Sequence, residues 1–313
     1  MTTWPHTLDR AGITNSALRD AYSAQRVLVA RYARAEYTAV RLLLPAPLVP
    51  HVIAATAFMH HSDTLIDQGP LPQRLAALAD WSTQTQAALA DSPAHLDPLL
   101  AALRHTTLAH PQMRQYIDTY LKGGELEARW TSFTTEDDFQ TYVGTYALPA
   151  FMIIASLITP PHEPEAFEAG CRTFILASQR LDFLEDLAED LQSGRPGIPD
   201  QALADHGLTR DDLLKQSEPA RVQSLIRHHA ALIRRDLTTA AQLERLVQIP
   251  HRPFLRALVQ LQSARLAAAT SHGPKLLDSA PKAPLRRASL ILLRAIGTRS
   301  THRLSRSASR LQS

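Results

Sequence analysis

Residues 51–67, HVIAATAFMHHSDTLID, constrain this chain more than any other stretch. Val52, Ile53, Ala54, Ala55, Ala57, Phe58, Met59, Leu65 and Ile66 fall on nearly every side of a helix, so the segment has no face to offer water and other helices must surround it. Asp63 and Asp67 nevertheless stand one turn apart on it. Two carboxylates held close in an apolar setting do not both ionise uncompensated, because desolvation and mutual repulsion each raise their pKa values. Two solutions are open: the pair reaches water at the helix end, or a cation sits against it. Carboxylates without a Cys/His ligand set suit a hard cation such as Mg²⁺, which keeps several waters and bridges one or two carboxylates to substrate phosphates. His60 shares their face, as a packing group or as a base.

The rest of the chain supplies the surrounding helices. Of its 313 residues 45% are hydrophobic, enough for one large core, and no sustained apolar/polar alternation marks a strand. The fold class is therefore all-α. Helical patterns run at about 15–43, 51–67, 71–90, 97–107, 111–121, 136–158, 164–192, 209–215, 219–246, 251–270 and 284–296, punctuated by Pro45, Pro47 and Pro50, by Gly69-Pro70 and by Pro160-Pro161. Thr134 with Asp137, and Thr209 with Asp212, have the spacing of capping boxes.

Neither a repeat nor a composition shift divides residues 1–296, which read as one domain. From Lys275 onward the only acid is Asp278, and the Ser/Arg-rich tail 297–313 reads as basic, solvated and disordered, with contact to an anionic membrane as the alternative. No aromatic residues interleave there, which argues against nucleic acid. The single cysteine, Cys171, excludes an internal disulfide and a multi-cysteine zinc site. The opening MTTWPHTLDRAG lacks a leader pattern, and the apolar run Tyr146 to Ile158, interrupted by Pro149, is too short to span a bilayer. A cytoplasmic protein is expected.

A second acidic segment, SQRLDFLEDLAEDLQSGRPGIP at 178–199, sets Asp182, Asp186 and Asp190 four apart along one helix face. Alone, with Glu185 and Glu189 beside it, this row looks like the solvated side of an amphipathic helix. Beside the buried pair at 63 and 67 it has a sharper meaning. Two helices with carboxylates at intervals of four, facing each other across a cavity, suit Mg²⁺ ions that neutralise a diphosphate as a carbon–oxygen bond breaks.

The order of LLLP (42–45), AFMHHSDTLID (57–67), GGELE (123–127), FTTEDDFQTY (133–142) and QRLDFLEDLAEDLQSGRPGIP (179–199) resembles the squalene/phytoene synthase family from about Arg31 to Arg294. The last segment is similar to the family's Gln-x-x-Asn-x-x-x-Asp-x-x-x-Asp pattern. The resemblance implies a single-domain isoprenoid synthase bundle around a central cavity, with Mg²⁺ held by Asp63, Asp67, Asp186 and Asp190 and a contribution from Asp182. In such a site Arg195, with Arg34 or Lys122, would meet diphosphate oxygens, a surface role for each being the alternative, and His60, Glu127 or the released diphosphate would act as base. Tyr37, Thr56, Phe58, Tyr142, Tyr146, Phe151 and Gln179 are the candidate pocket residues; by residue type the aromatic rings among them either face a cation or an acceptor or simply pack in the core.

Departures from the family pattern shape the expected reaction. His60 replaces an Arg, Thr56 a Tyr, Thr64 an Asp, Asp182 an Asn and Glu185 an Arg; GRPGIP at 194–199 lacks a Tyr, and TYALPAF at 145–151 replaces an Ala-Gly stretch, with Pro149 expected to kink its helix. Two lost arginines remove charge for a second diphosphate. The expectation is transfer of a dimethylallyl-sized group from its diphosphate to an aromatic acceptor such as carbazole or indole in secondary metabolism, similar to divergent carbazole-prenylating members. Head-to-head condensation to squalene, hydroxysqualene or phytoene, and a catalytically silent scaffold, are the alternatives.

Overall fold

The computed structural model describes residues 2–90 and 96–296, and among them there are helices and no strands. The Val49–Asp67 helix lies at the centre, with Val49 to Ala55, Ala57, Phe58, Ser62 and Ile66 buried. Ser16–Tyr32, Leu71–Ala90, Pro98–Ala109, Met113–Arg129 and Leu148–Ala155 pack around it. Ala54, Ala55 and Ala57, all fully buried, keep the spacing short where neighbours cross. A second layer pairs Pro164–Glu185 with Pro219–Ala240 and Arg252–His272.

Several expected elements are divided. The 15–43 pattern splits at Ala33 (φ −121°, ψ 55°), and 164–192 splits at Asp186 between Pro164–Glu185 and Leu187–Ser193. Pro219–Ala240 and Leu243–Leu246 are separate helices. Trp4–Arg10 and Asp200–Asp205 are short helices that periodicity did not reveal. The first capping box forms one residue later than expected: Thr135 is extended, accepts from the Asp138 N–H and receives Asp138 on its own N–H, so the helix begins at Glu136. Thr209 and Asp212 form the second as expected.

Pro149 acts one turn upstream rather than as a simple kink. Proline has no N–H for the carbonyl of Thr145, four residues before it, and the ladder widens into a π-helical segment, Val143–Ala147, closed by the Leu148 N–H on the Val143 carbonyl. The helical run Glu136–Ile158 is thus continuous over 23 residues and, contrary to the sequence reading, is long and apolar enough to cross a membrane by length and composition. However, 67% of its most apolar window is buried inside the bundle, the setting of a core helix. The tail expected at 297–313 lies outside the described residues.

The π segment meets the Gly-Gly pair of GGELE. A Cβ on Gly123 would lie 2.3 Å from the Thr145 carbonyl oxygen, and one on Gly124 would lie 2.8 Å from a Leu78 methyl. Only glycine lets Met113–Arg129 approach this closely, and that approach brings Tyr120 beside Tyr146, ring centroids 5.3 Å apart.

Candidate active site

The two stacked tyrosines converge on one carboxylate. Tyr120 and Tyr146 both donate to Asp63 Oδ1, at 2.6 and 2.9 Å. Burial raises the Asp63 pKa above the usual carboxylate range; the tyrosine bonds oppose this and the Asp67 charge adds to it. Asp63 and Asp67 occupy the last turn of Val49–Asp67, where the helix dipole is negative and disfavours anions. Two acids at that end call for positive charge from outside the helix.

His60 does not supply it by contact with the carboxylates. Its ring stacks on Tyr32 (3.6 Å, 13°), and the Tyr32 hydroxyl donates to the Thr56 carbonyl at 3.0 Å. Thr56 bonds back to the Val52 carbonyl at 2.8 Å.

The second acidic row is clamped from another helix. Arg265, on Arg252–His272, donates from Nη2 to Asp182 Oδ1 at 2.6 Å and from Nε to Glu185 Oε2 at 3.0 Å. Burial still holds both acids above their ordinary values, while 40% of the Asp182 side chain remains accessible. At Asp186 the helix breaks (φ −93°, ψ 8°), which re-aims the chain so that Asp190 continues the row. Asp190 is pushed up to about 7 by burial, then by Asp186 and Glu189, and its Oδ2 is buried without a partner.

One ion pair lies within electrostatic reach of both rows. Arg195 donates from Nη2 to the Glu127 carbonyl at 3.3 Å and to Glu127 Oε1 at 3.4 Å, while its guanidinium lies 4.9 Å from the Trp130 ring centroid. Burial raises Glu127; Tyr142 and Arg195 oppose this, and the charges of Asp67 and Asp63 add to it. The charge of Arg195 in turn lowers Asp190. Glu127 and Arg195 therefore lie within electrostatic reach of Asp63 and Asp67 on one side and of Asp190 on the other. A second unpartnered oxygen is Glu127 Oε2.

The remaining expected residues divide. Tyr142 and Tyr146 belong to this cluster, joined by Phe133, Phe183 and Trp130. Gln179 is half-buried on the Asp182 helix, and Phe151 packs on Phe174 at 5.3 Å. Phe58 is fully buried between Trp81 and Tyr120, so it supports Tyr120 from behind instead of lining a pocket. Tyr37 accepts from Arg41, which lies over Trp4, placing it in the amino-terminal packing. Lys122 is exposed, about 200° around its helix from Tyr120. Arg34 is exposed at the start of Arg34–Leu43, with no ion pair to either acidic row among the described residues. Arg265 and Tyr120 were missed because nothing local marks them: their partners lie 83 and 57 residues away in sequence.

No three His, Cys, Asp or Glu side chains among the described residues form a ready-made metal cage. Mg²⁺ does not require one, since it is commonly bound by one or two carboxylates, waters and substrate phosphates. Orphaned oxygens on Asp190 and Glu127 and the raised carboxylates of both rows fit a hard divalent cation.

An all-α bundle carrying acidic rows on two separate helices is a scaffold of the isoprenoid-synthase type. The chain belongs to the squalene/phytoene synthase family, whose pattern matches residues 30–289. It is 30% identical over 214 residues to the bifunctional protein CrtB/UppS of Streptomyces coelicolor, covering 64% of this chain and 35% of that one. It is 26% identical to the 15-cis-phytoene synthase of Synechococcus elongatus, covering 63% of this chain and 67% of that one. The chain therefore spans about a third to two thirds of these relatives. Squalene synthase HpnC from Alicyclobacillus acidocaldarius has the same fold (TM-score 0.75, 22% identity, covering 84% of this chain and 98% of that one). So does a dehydrosqualene synthase solved with a ligand (TM-score 0.78, 19% identity, 91% and 98%).

Proposed function

We propose that this chain ionises an allylic prenyl diphosphate between its two acidic rows and condenses the product with a second prenyl diphosphate, head to head. The observation that carries this reading is the Glu127–Arg195 pair, which feels the charges of Asp63, Asp67 and Asp190, with one oxygen of Glu127 and one of Asp190 left unsatisfied. Mg²⁺, when bound, would neutralise charge developing on the departing diphosphate. Asp63, Asp67, Asp186 and Asp190 would hold it, with Asp182 kept in place by Arg265.

The chain's own groups have distinct tasks. Tyr120 and Tyr146 fix one oxygen of Asp63 and leave the other for a ligand. Arg195 offers an Nε that has no acceptor to a diphosphate oxygen. Tyr142, Trp130, Phe133 and Phe183 exclude water and present π faces that favour a carbocation. Glu127, raised by burial, is the acid or base nearest this aromatic wall.

The names of the relatives favour condensation over the aromatic acceptor expected from sequence. One observation keeps the acceptor as a second reading: Tyr146 and Phe151 fill the central helix with rings where the family's Ala-Gly stretch would leave room for a second long tail. Purified protein with Mg²⁺ and either farnesyl or geranylgeranyl diphosphate alone, or dimethylallyl diphosphate with indole or carbazole, separates the two. Dehydrosqualene-type or phytoene-type products, which form with loss of diphosphate and a proton and need no reductant, support condensation. Prenylated indole or carbazole with no such product overturns it.

We place the enzyme in the cytoplasm, against an anionic membrane surface. Helix 285–296 exposes Leu285 (73%), Leu290 (53%) and Leu293 (64%), interleaved with Arg286, Arg287 and Arg294, a pattern suited to lying in a lipid interface.

A further inference from the structure

Behind the helix that carries the second acidic row is an open pocket of about 340 Å³, walled by Glu136–Tyr142, Pro164–Glu185, Asp200–Asp205 and Pro219–Ala240. Arg180, at its floor, lies about 200° around the helix from Asp182, so the pocket and the acidic row occupy opposite faces.

Arg180 is only 6% exposed. Its Nη2 donates to Glu136, its guanidinium sits 4.3 Å from the Phe139 ring centroid, and its Nε has no acceptor among the described residues. His228 and Arg235, seven residues apart and so on one face of Pro219–Ala240, form the opposite wall. Gln140 and Gln201 add amides. The acids nearby are mostly engaged: Glu136 by Arg180 and by Gln140 at 2.8 Å, and Asp236 by Arg235 at 2.9 Å. Asp205 is exposed at the rim. A further cation, Arg172, reaches the Gln140 side chain at 3.1 Å.

A buried guanidinium in one open pocket with a second arginine and an imidazole suits a multi-oxygen anion, since arginine matches phosphate with parallel donors. We propose that this pocket is a second ligand site, binding a phosphate group without magnesium, with Arg180 as its floor and His228 and Arg235 as its closing wall. It stands apart from the reaction proposed above. Occupancy is positioned to influence the candidate active site, because Arg180 lies between Gln179 and Asp182 in sequence and the segment from Arg195 to Pro199 runs from that site to the pocket wall.

The test is calorimetric titration of the full chain with inorganic phosphate and, separately, glycerol 3-phosphate, with EDTA present to remove divalent cations. Saturable binding is expected, weakened about tenfold or more by Arg235→Ala and by His228→Ala. It should be unchanged in the Asp186→Asn/Asp190→Asn variant. Tighter binding of the ester would mark an organic phosphate as the natural ligand, and equal binding would mark free phosphate. Absence of saturable binding at millimolar concentrations, or binding indifferent to Arg235→Ala and His228→Ala, overturns the proposal.

Discussion

Arg265 holds Asp182 at 2.6 Å across the interface between the Arg252–His272 and Pro164–Glu185 helices, and grips Glu185 with the same guanidinium. Positions 182 and 185 are those where the family pattern has Asn and Arg, so this chain carries acids there and imports the positive charge from a different helix. The charge that the sequence reading counted as lost at Glu185 is returned from position 265.

Removing Arg265 leaves two acids facing each other beside Asp186. Arg265→Ala should lower stability by about 1–2 kcal/mol, a modest figure because the pair is partly solvated. Prenyl diphosphate turnover should fall at least about tenfold. Adding Asp182→Asn to that variant should restore part of the stability in urea denaturation.

Gly123→Ala should destabilise the fold by about 1–3 kcal/mol, because its methyl would meet the rigid Thr145 carbonyl at 2.3 Å. Gly124→Ala should cost less, since it meets only side-chain ends of Leu78 and Ile66. Denaturant midpoints of the two variants check the order. The Gly123 variant should also lose activity out of proportion to its stability, as the Tyr120–Tyr146 grip on Asp63 loosens.

That glycine pair shows what was legible in the sequence and what was not. The buried helix at 49–67, its two acids and the spacing of the second row could be read from periodicity alone, because apolar residues on every side leave a helix nowhere but the interior. The break at Asp186 was not legible: Leu184, Leu187 and Leu191 keep helical spacing through it. Nor was the π segment, where Pro149 suggested a kink but could not show how the ladder would rearrange. Tyr37 and Phe58 were assigned to a pocket by residue type, yet aromatic rings serve cores and clefts alike, and only contacts with Trp4, Arg41 and Trp81 place them in packing.

Two buried histidines withdraw stability as the pH falls. His51 is held down to about 3 by burial, then by His110 and His105; His229 is held down to about 3 by burial, then by Arg180 and His228. Both folded values lie below the ordinary 6.5, so the unfolded chain binds more protons between about pH 3 and pH 6.5. Their contribution is complete above pH 6.5 and lost as pH falls through that interval. The raised carboxylates, Asp190 among them, act in the opposite sense over the same interval, so the histidine contribution is read as a difference: between pH 6.5 and about pH 4 the thermal midpoint should fall more, or rise less, in the parent than in His51→Gln.

Helix 285–296 should bind vesicles containing phosphatidylglycerol and not vesicles of phosphatidylcholine alone, with binding weakened by salt. Replacing Leu285, Leu290 and Leu293 by Ser should abolish co-sedimentation without changing the thermal midpoint, since all three are exposed.

The most direct test of the two acidic rows is the thermal midpoint with Mg²⁺, with pyrophosphate, and with both. A rise only when both are present, lost in Asp63→Asn and equally in Asp190→Asn, is the predicted result. A rise that survives either substitution, or none with the combination, would show that the two segments do not share one ligand and would contradict the proposed chemistry.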